Sequence, residues 1–251
     1  MVAMVIRIIR ALIVKVLDLF AGIGGFTIGL ERAGFETAAF CEIDPYAQKV
    51  LRKNWPGVPI YDDVRTITAE RLASDGIGVD VITGGFPCQD ISVSGNQAGI
   101  QDGTRSGLWS ECARLLGDIR PRYAIFENVT NLLNGERGAW FKRVLWDISQ
   151  IGYDAEWHCV PASELGAHHH RDRIWVVAYP NGSQCKRGGL SIRVHKENAN
   201  TIGASGWQAE PDVGRVANGI PSGSHRLKCL GNAVVPPIPE LIGRAINEAN
   251  L

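Results

Sequence analysis

DLFAGIGGF, residues 18–26, joins a short apolar run to a glycine-rich turn and a helical stretch. Glycines at such a turn, here Gly22, Gly24 and Gly25, let the backbone approach a ligand closely and direct free N–H groups towards it. The stretch therefore predicts a strand, a turn and a helix in succession, which is the opening unit of many α/β domains. A glycine turn by itself is a weak signal, and Thr27 occupies the third glycine position of the dinucleotide-binding pattern.

Strands and helices alternate along most of the chain. Apolar runs predict seven strands, at residues 15–20, 36–42, 58–61, 79–83, 122–126, 154–160 and 173–179. Helical patterns occupy residues 66–74, 106–118, 137–151 and 239–249. A further helix opens at Asp44, which suits an N-cap, and Pro45, which suits the first helical position. Apolar strands flanked by helices indicate an α/β fold with a mostly parallel, seven-stranded sheet covered on both faces.

Composition and charge restrict the class of protein. The 251 residues are 45% hydrophobic and 21% charged, which suits a folded domain with a sizeable core. The 26 basic and 26 acidic residues give no net charge, so a site for a polyanion must come from local clustering. The cysteines form no C-x-x-C pair, which argues against a zinc knuckle or a disulfide framework and favours a reducing, cytoplasmic location.

The regions on either side of the periodic part differ from it. Residues 1–14 are apolar but carry Arg7 and Arg10, and they are too short for a membrane span, so we interpret them as an extension packed on the domain. Residues 180–225 contain eight glycines and no clear period, and their basic residues outnumber their acidic ones by five to three. The predicted division is an N-terminal extension at 1–14, a main domain at 15–179, an irregular region at 180–225 and a C-terminal segment returning to the main domain at 226–251.

Two motifs at the ends of neighbouring predicted strands carry reactive side chains. GGFPCQDIS, residues 84–92, places Cys88 after the stiffening Pro87 at the sheet edge where α/β enzymes hold their sites. An isolated cysteine is more often structural, but this loop context favours a nucleophile. FENV, residues 126–129, places Glu127 beside the strand that leads to Cys88. A partly buried carboxylate there can hold a proton near neutral pH and act as an acid or a hydrogen-bond partner.

Three further features carry candidate binding residues. HHHRDRIW, residues 168–175, has no cysteine or carboxylate at ligand spacing, so it is interpreted as an anion or base contact and not as a metal site. Strand alternation would place its two arginines, Arg171 and Arg173, on one face. RLKCLGNAVVPP, residues 226–237, predicts a glycine turn before the final helix. Glu42 closes the second predicted strand, where an acidic side chain can accept both hydroxyls of a ribose.

In this order and spacing, the motifs resemble those of DNA cytosine carbon-5 methyltransferases of the compact kind carried by phages and prophages. PCQ, ENV, R-x-R and GNAV follow DLFAGIGGF across nearly the whole chain. The resemblance implies a Rossmann-like methyltransferase fold, S-adenosylmethionine as cofactor, no metal, and a short target-recognition region at 180–225. It implies methylation of carbon 5 of cytosine in double-stranded DNA, by base flipping and covalent addition of Cys88 to carbon 6. No membrane partner is implied, a cognate restriction endonuclease is a candidate partner, and the oligomeric state is not specified.

The resemblance also assigns roles to individual residues. The catalytic positions are Cys88, Glu127, Arg171 and Arg173. The cofactor-binding positions are Asp18, Phe20, Ala21, Gly22, Ile23, Gly24, Gly25, Glu42, Ile43, Asp63, Val64, Pro87, Leu108, Asn232 and Val234. The DNA-binding positions are Gln89, Ser92, Arg105, His169, Lys186, Arg187, Arg193, Lys196 and Arg215. His169 departs from the pattern, because a glutamine is usual two residues before the first arginine of R-x-R.

Three other functions compete with this interpretation. A tRNA-modifying branch of the same fold shares PCQ and ENV, but its Cys-Phe-Thr signature is absent from 180–225. A nucleotide-dependent oxidoreductase shares the strand–glycine–helix opening, but it gives no role to PCQ or ENV. A DNA-binding module without catalysis is disfavoured because Cys88, Glu127 and Arg171 are all present.

Overall fold

The computed structural model describes residues 13–87, 108–182 and 223–249. The strands within them are β1 (Lys15–Leu19), β2 (Glu36–Cys41), β3 (Ile60–Tyr61), β4 (Val81–Gly85), β5 (Tyr123–Val129), β6 (Tyr153–Pro161) and β7 (Asp172–Pro180). They form one sheet in the order β3-β2-β1-β4-β5-β7-β6. The first five strands run parallel, and β7 is antiparallel to both β5 and β6. The predicted α/β fold with a mostly parallel seven-stranded sheet is therefore confirmed.

The helices follow the predicted pattern with two additions, Asn131–Asn134 and Gly223–Asn232. They are α1 (Gly25–Arg32), α2 (Pro45–Asn54), α3 (Ala69–Ser74), α4 (Trp109–Ile119), α5 (Asn131–Asn134), α6 (Ala139–Ile151), α7 (Gly223–Asn232) and α8 (Pro237–Ala249). Short 3₁₀ turns occupy Val64–Thr66, Gly135–Gly138 and Ala162–Leu165. None of the helices in the described part of the chain is long and apolar enough to cross a bilayer.

Two sequence-based predictions about helices were wrong in part. The helix expected over 66–74 begins only at Ala69, where the Thr68 hydroxyl accepts a hydrogen bond from the Arg71 amide and caps the first turn. The glycine turn expected around Gly231 is instead the last turn of α7. A helical glycine costs only about 1 kcal/mol relative to alanine, so contacts with the rest of the fold can override its preference.

Both faces of the sheet are covered. Leu17 and Leu19 point to one face, where they pack with buried side chains of α4 and α6. Val16 points to the opposite face, where it packs with α1 and α8. The alternation along β1 therefore fills two cores, which explains why the strand is apolar on both sides. Its carboxyl end lies beside those of β2 and β4, so the loops that follow these strands meet at one edge of the sheet.

Candidate active site

A half-buried ion pair occupies the carboxyl end of β5. Glu127 is the register partner of Gly85 on β4, and its Oε1 lies 2.8 Å from Nε of Arg173 on β7. Burial raises the pKa of Glu127, and the nearby charges of Arg173 and Arg171 oppose that rise. A Cβ at Gly85 would lie 3.3 Å from Oε2 of Glu127, so glycine leaves this carboxylate room. Glu127 thus emerges beside the strand that leads to position 88, as predicted.

Asn128 holds the loop that leaves β4, a role that the sequence analysis did not assign. Its side-chain amide donates a 3.2 Å hydrogen bond to the Phe86 carbonyl, and its Oδ1 accepts one from the Val129 amide. Asn128 is only 3% exposed, so these bonds form away from water. The alternation of β5 places Glu127 and Asn128 on opposite sides of the strand, which is the signal that could have separated their roles.

Arg171 lies just before β7, so its own contacts and not strand alternation decide its position. Strand β7 begins at Asp172, and Arg171 has a φ of 39°, so strand alternation does not relate it to Arg173. Its Nη1 donates to the Gly231 carbonyl at 2.8 Å, and its Nη2 donates to the Ala233 carbonyl at 2.7 Å. The two arginines nevertheless face one open pocket, which is lined by His169, Arg171, Arg173, Leu230, Ala233, Val234, Val235 and Pro236.

Glu42 connects the glycine turn to the end of β2. Its Oε2 accepts a hydrogen bond from the Gly22 amide and its Oε1 one from the Asp44 amide, both at 2.7 Å. Each carboxylate oxygen has a further lone pair, so the group can still accept hydroxyl protons. Ile43 follows it and is 68% exposed, which leaves an apolar surface open beside the carboxylate. An acidic acceptor next to an exposed apolar side chain fits the ribose and the base of a nucleoside.

The three glycines of the turn have different reasons to be glycine. Gly22 adopts a φ of 56° with open space around its Cβ position, as a residue beside a ligand would. A Cβ at Gly24 would collide with the Trp55 ring, and one at Gly25 would collide with the Val234 carbonyl oxygen. The Gly24 amide donates to the Ala21 carbonyl, so neither this N–H nor that of Gly22 is free for a ligand. The expectation of free N–H groups at these two positions is therefore wrong.

Besides Glu42, three predicted cofactor-binding side chains are buried in the protein. Asp18 is fully buried, where its carboxylate accepts hydrogen bonds from the hydroxyls of Thr27 and Thr83. Ala21 and Val64 pack in apolar clusters beneath the surface. Their place at the cofactor site stays a prediction. Asp18 ties β1, α1 and β4 together below the turn.

The other predicted cofactor positions have side chains that are at least partly accessible. Asp63 bonds through both oxygens to the Arg65 guanidinium, which holds the pKa of that carboxyl below its usual value. Asn232 is exposed, and the half-buried positions are Phe20, Ile23, Pro87, Leu108 and Val234. Phe20 and Pro87 follow the carboxyl ends of β1 and β4, so these two lie at the edge of the sheet where those strands end.

Several predicted residues lie outside the described part of the chain. These are Cys88, Gln89, Ser92, Arg105, Lys186, Arg187, Arg193, Lys196 and Arg215. The same is true of residues 1–12 and of most of the irregular region. Among the described residues, no group of three or more histidine, cysteine or carboxylate side chains could hold a metal ion.

Comparison with known proteins places these features in a family. A family model described as C-5 cytosine-specific DNA methylase matches residues 14–218. The type II methyltransferase M2.BsuMI of Bacillus subtilis is 39% identical over 168 residues, which are 65% of this chain and 41% of that protein. M.Eco47II of Escherichia coli is 38% identical over 168 residues, 66% of this chain and 39% of that protein. The chain thus spans about two fifths of the length of these curated relatives.

Solved structures share the fold. A protein from an Escherichia coli prophage, described as a DNA modification methyltransferase, superposes with a TM-score of 0.57 at 28% identity, over 66% of this chain and 47% of that one. The Entamoeba histolytica methyltransferase EhMeth superposes with a TM-score of 0.64 at 16% identity, over 94% of this chain and 98% of that one. The family match covers most of the chain, and the chain therefore belongs to the C-5 cytosine-specific DNA methylase family.

Proposed function

We propose that this chain transfers a methyl group from S-adenosylmethionine to carbon 5 of cytosine in double-stranded DNA. The observation that carries the proposal is the half-buried Glu127–Arg173 pair at the end of β5, beside the strand that leads to Cys88. Family membership and relatives named as type II methyltransferases support the same reaction. Their type II class also makes a cognate restriction endonuclease a candidate partner.

Carbon 5 of cytosine is a poor nucleophile and lies inside the stacked duplex, so the base must first be flipped out. Cys88, as its thiolate, is proposed to add to carbon 6, which breaks the aromaticity of the ring and moves electron density to carbon 5. Glu127 would donate a proton in a hydrogen bond to ring nitrogen 3 and accept one from the exocyclic amine. The raised pKa of Glu127 suits a carboxyl group that must hold that proton.

The structure changes the proposed role of one arginine. The family resemblance makes Arg171 a catalytic position that would hold the carbonyl oxygen of the base, but both of its terminal nitrogens already donate to backbone carbonyls. Arg173 faces Glu127 directly and is the better candidate for the base carbonyl, because its charge lies beside the carboxyl group that would hold the same base.

The residues at the end of β2 suit the cofactor. Glu42 is proposed to accept the ribose hydroxyls, Ile43 to pack on the adenine, and Asp63 to accept from the adenine amino group. S-adenosylmethionine supplies an electrophilic methyl group when bound. The chain's own contribution is to hold that nucleoside at the edge of the sheet next to Glu127, and to keep the Gly22 turn in place through the Glu42 carboxylate.

Methyl transfer from labelled cofactor to duplex DNA and to tRNA tests the proposal and its runner-up, the tRNA reaction. We expect label in DNA cytosine only, and label in tRNA alone would overturn the choice of substrate. DNA containing 5-fluorocytosine should trap a covalent adduct with the wild type and with Cys159→Ala, a control that removes an exposed cysteine. Cys88→Ala should form no adduct, and an adduct in that variant would exclude Cys88 as the nucleophile.

A further inference from the structure

Residues 229–236, which we call the return segment, comprise the last residues of α7 and its connection to α8, and they line the pocket together with Arg171 and Arg173. Arg171 contacts this segment directly, because its two terminal nitrogens donate to the carbonyls of Gly231 and Ala233. These carbonyls belong to the end of α7, where the last carbonyl groups lack partners within the helix and favour a cation.

The other side of the return segment packs against the cofactor half of the site. Gly25 and Gly29 of α1 have no Cβ, which lets the carbonyl oxygens of Val234 and Pro236 approach the helix that begins after the glycine turn. A Cβ at Gly85 would lie 3.9 Å from Cγ2 of Val234, so the same residue also reaches the end of β4 next to Glu127. The position of the return segment therefore affects two places together: the glycine turn at residues 22–25, which we call the cofactor turn, and the pocket lined by Arg171 and Arg173, which we call the base pocket.

Helix α7 adds contacts at the end of β2. The ring of His225 stacks on Tyr46 with centroids 5.6 Å apart, and Nζ of Lys228 lies 3.2 Å from the carboxylate of Asp44. Asp44 is two residues beyond Glu42 and donates its amide to that carboxylate. A displacement of α7 would therefore reach the proposed ribose acceptor through one hydrogen bond.

The backbone of Arg171 is held in an unfavourable conformation. Its φ of 39° lies in the left-handed region, which a non-glycine residue rarely adopts. Such strain persists only where the surroundings hold it, and here the side chain forms two charge-assisted hydrogen bonds across the pocket. The backbone conformation of Arg171 thus depends on the hydrogen bonds that its side chain makes to the return segment.

We propose that Arg171 is a positioning residue: it fixes the return segment against α1 and thereby holds the cofactor turn and the base pocket in their positions relative to each other. This inference rests on the proposed function for its consequence in catalysis, but its physical content concerns the protein without DNA. A residue that only contacted the flipped base would have no effect until DNA is bound. A positioning residue changes the return segment and the cofactor affinity in the free protein.

The test measures amide hydrogen exchange across residues 229–235 and the affinity for S-adenosylmethionine by calorimetry, both without DNA. In Arg171→Met we expect exchange to accelerate, and the cofactor dissociation constant to rise, by about tenfold or more, because two hydrogen bonds to a charged group are lost. Arg171→Lys should give intermediate values of both quantities, since one ammonium group cannot reproduce the hydrogen bonds of a planar guanidinium to two carbonyls. Arg143→Met is the matched control and should leave both quantities at wild-type values, because Arg143 is an exposed side chain that pairs with Asp147 within α6.

The proposal is overturned if Arg171→Met retains wild-type exchange and cofactor affinity but loses methyl transfer, since Arg171 would then act on the base. If Arg171→Met does not unfold cooperatively in a melting experiment, Arg171→Lys decides by the same two measurements. Failure of the proposed function is a separate result. It would appear as a wild-type protein that binds the cofactor and methylates no DNA, whatever the exchange measurements show.

Discussion

Asp18 shows how a motif residue can be essential without facing a ligand. The aspartate of DLFAGIGGF is fully buried, and its only side-chain donors among the described residues are the hydroxyls of Thr27 and Thr83. Desolvation by burial raises its pKa from 3.8 to about 6, and the two hydroxyls oppose the rise. The carboxylate therefore joins β1, α1 and β4 at an electrostatic cost that depends on pH.

The first prediction concerns this cost. Asp18 binds its proton more tightly in the folded state, so the free energy of unfolding must fall as pH rises from its unfolded pKa towards its folded pKa. The shift from 3.8 to about 6 corresponds to about 3 kcal/mol. Asp18→Asn carries no charge and should lack this loss. Denaturant unfolding should show that the free energy of unfolding of the variant, relative to that of the wild type, is higher at about pH 7 than at about pH 4 by about that amount.

Thr83→Val provides the matched control for this prediction. It removes one hydroxyl donor from Asp18 with little change in volume, so it should raise the pKa of Asp18 further. We expect its destabilisation to be larger at about pH 7 than at about pH 4, which is opposite to the trend for Asp18→Asn. Equal destabilisation at both pH values would mean that the carboxylate charge does not depend on this hydrogen bond.

A second prediction at the residue scale concerns Glu42. Its replacement by glutamine leaves one oxygen for the amides of Gly22 and Asp44 and turns an N–H₂ group towards the other. Loss of one acceptor and of the charge at the proposed ribose site should cost about 1–3 kcal/mol of cofactor affinity, or roughly tenfold or more. Calorimetry should show this in a folded variant. Glu36→Gln, at the opposite end of β2, should bind the cofactor as the wild type does, and equal affinities in the two variants would reject the role of Glu42.

At the scale of elements, the contact between α1 and the return segment depends on two missing side chains. A Cβ on Gly25 would collide with the Val234 carbonyl, and one on Gly29 with that of Pro236. Gly25→Ala and Gly29→Ala should each destabilise the protein by about 1–3 kcal/mol, because rigid backbone must move. Gly117→Ala in α4 is the control: its Cβ would make ordinary contacts with Ile151, so helix propensity should make it neutral or stabilising by up to about 1 kcal/mol. Thermal unfolding distinguishes the two groups, and a loss of stability in all three variants would contradict the argument.

The sequence was sufficient for the number of strands and for a mostly parallel sheet, because most strands are apolar runs that end in recognisable turn residues. It placed Glu127 beside the end of β4 because strands that follow one another in the chain usually lie next to each other in the sheet. It brought Arg171 and Arg173 to one pocket for the wrong reason, because strand alternation holds only within a strand and β7 begins one residue after Arg171. It failed for α7, whose helical conformation is supported by distant contacts such as that between Lys228 and Asp44. Local patterns do not contain such contacts.

At the scale of the whole molecule, residues 180–225, the proposed recognition region, join the rest of the chain at two points that the structure describes. Strand β7 ends at Pro180 opposite Tyr153 of β6, and the Asn181 amide donates to the Gly152 carbonyl. The chain is next described at Gly223, where α7 begins and leads to the return segment. Because the chain carries no net charge, attraction to DNA must come from local charge such as the +2 excess of residues 180–225.

The last prediction follows from this arrangement. A short region offers few side chains to base edges, and each good bidentate contact discriminates by about 1–3 kcal/mol, so we expect a recognition sequence of about two to four base pairs. Replacing residues 184–222 with a neutral linker leaves both points of attachment in place, and it should abolish site preference in methylation mapping while cofactor affinity persists. Binding of the intact protein should weaken steeply with salt, because contacts with phosphate release counterions. If the linker variant methylates the same sites at similar rates, residues 184–222 do not determine site preference. Specificity would then lie in the catalytic loops, which the variant retains.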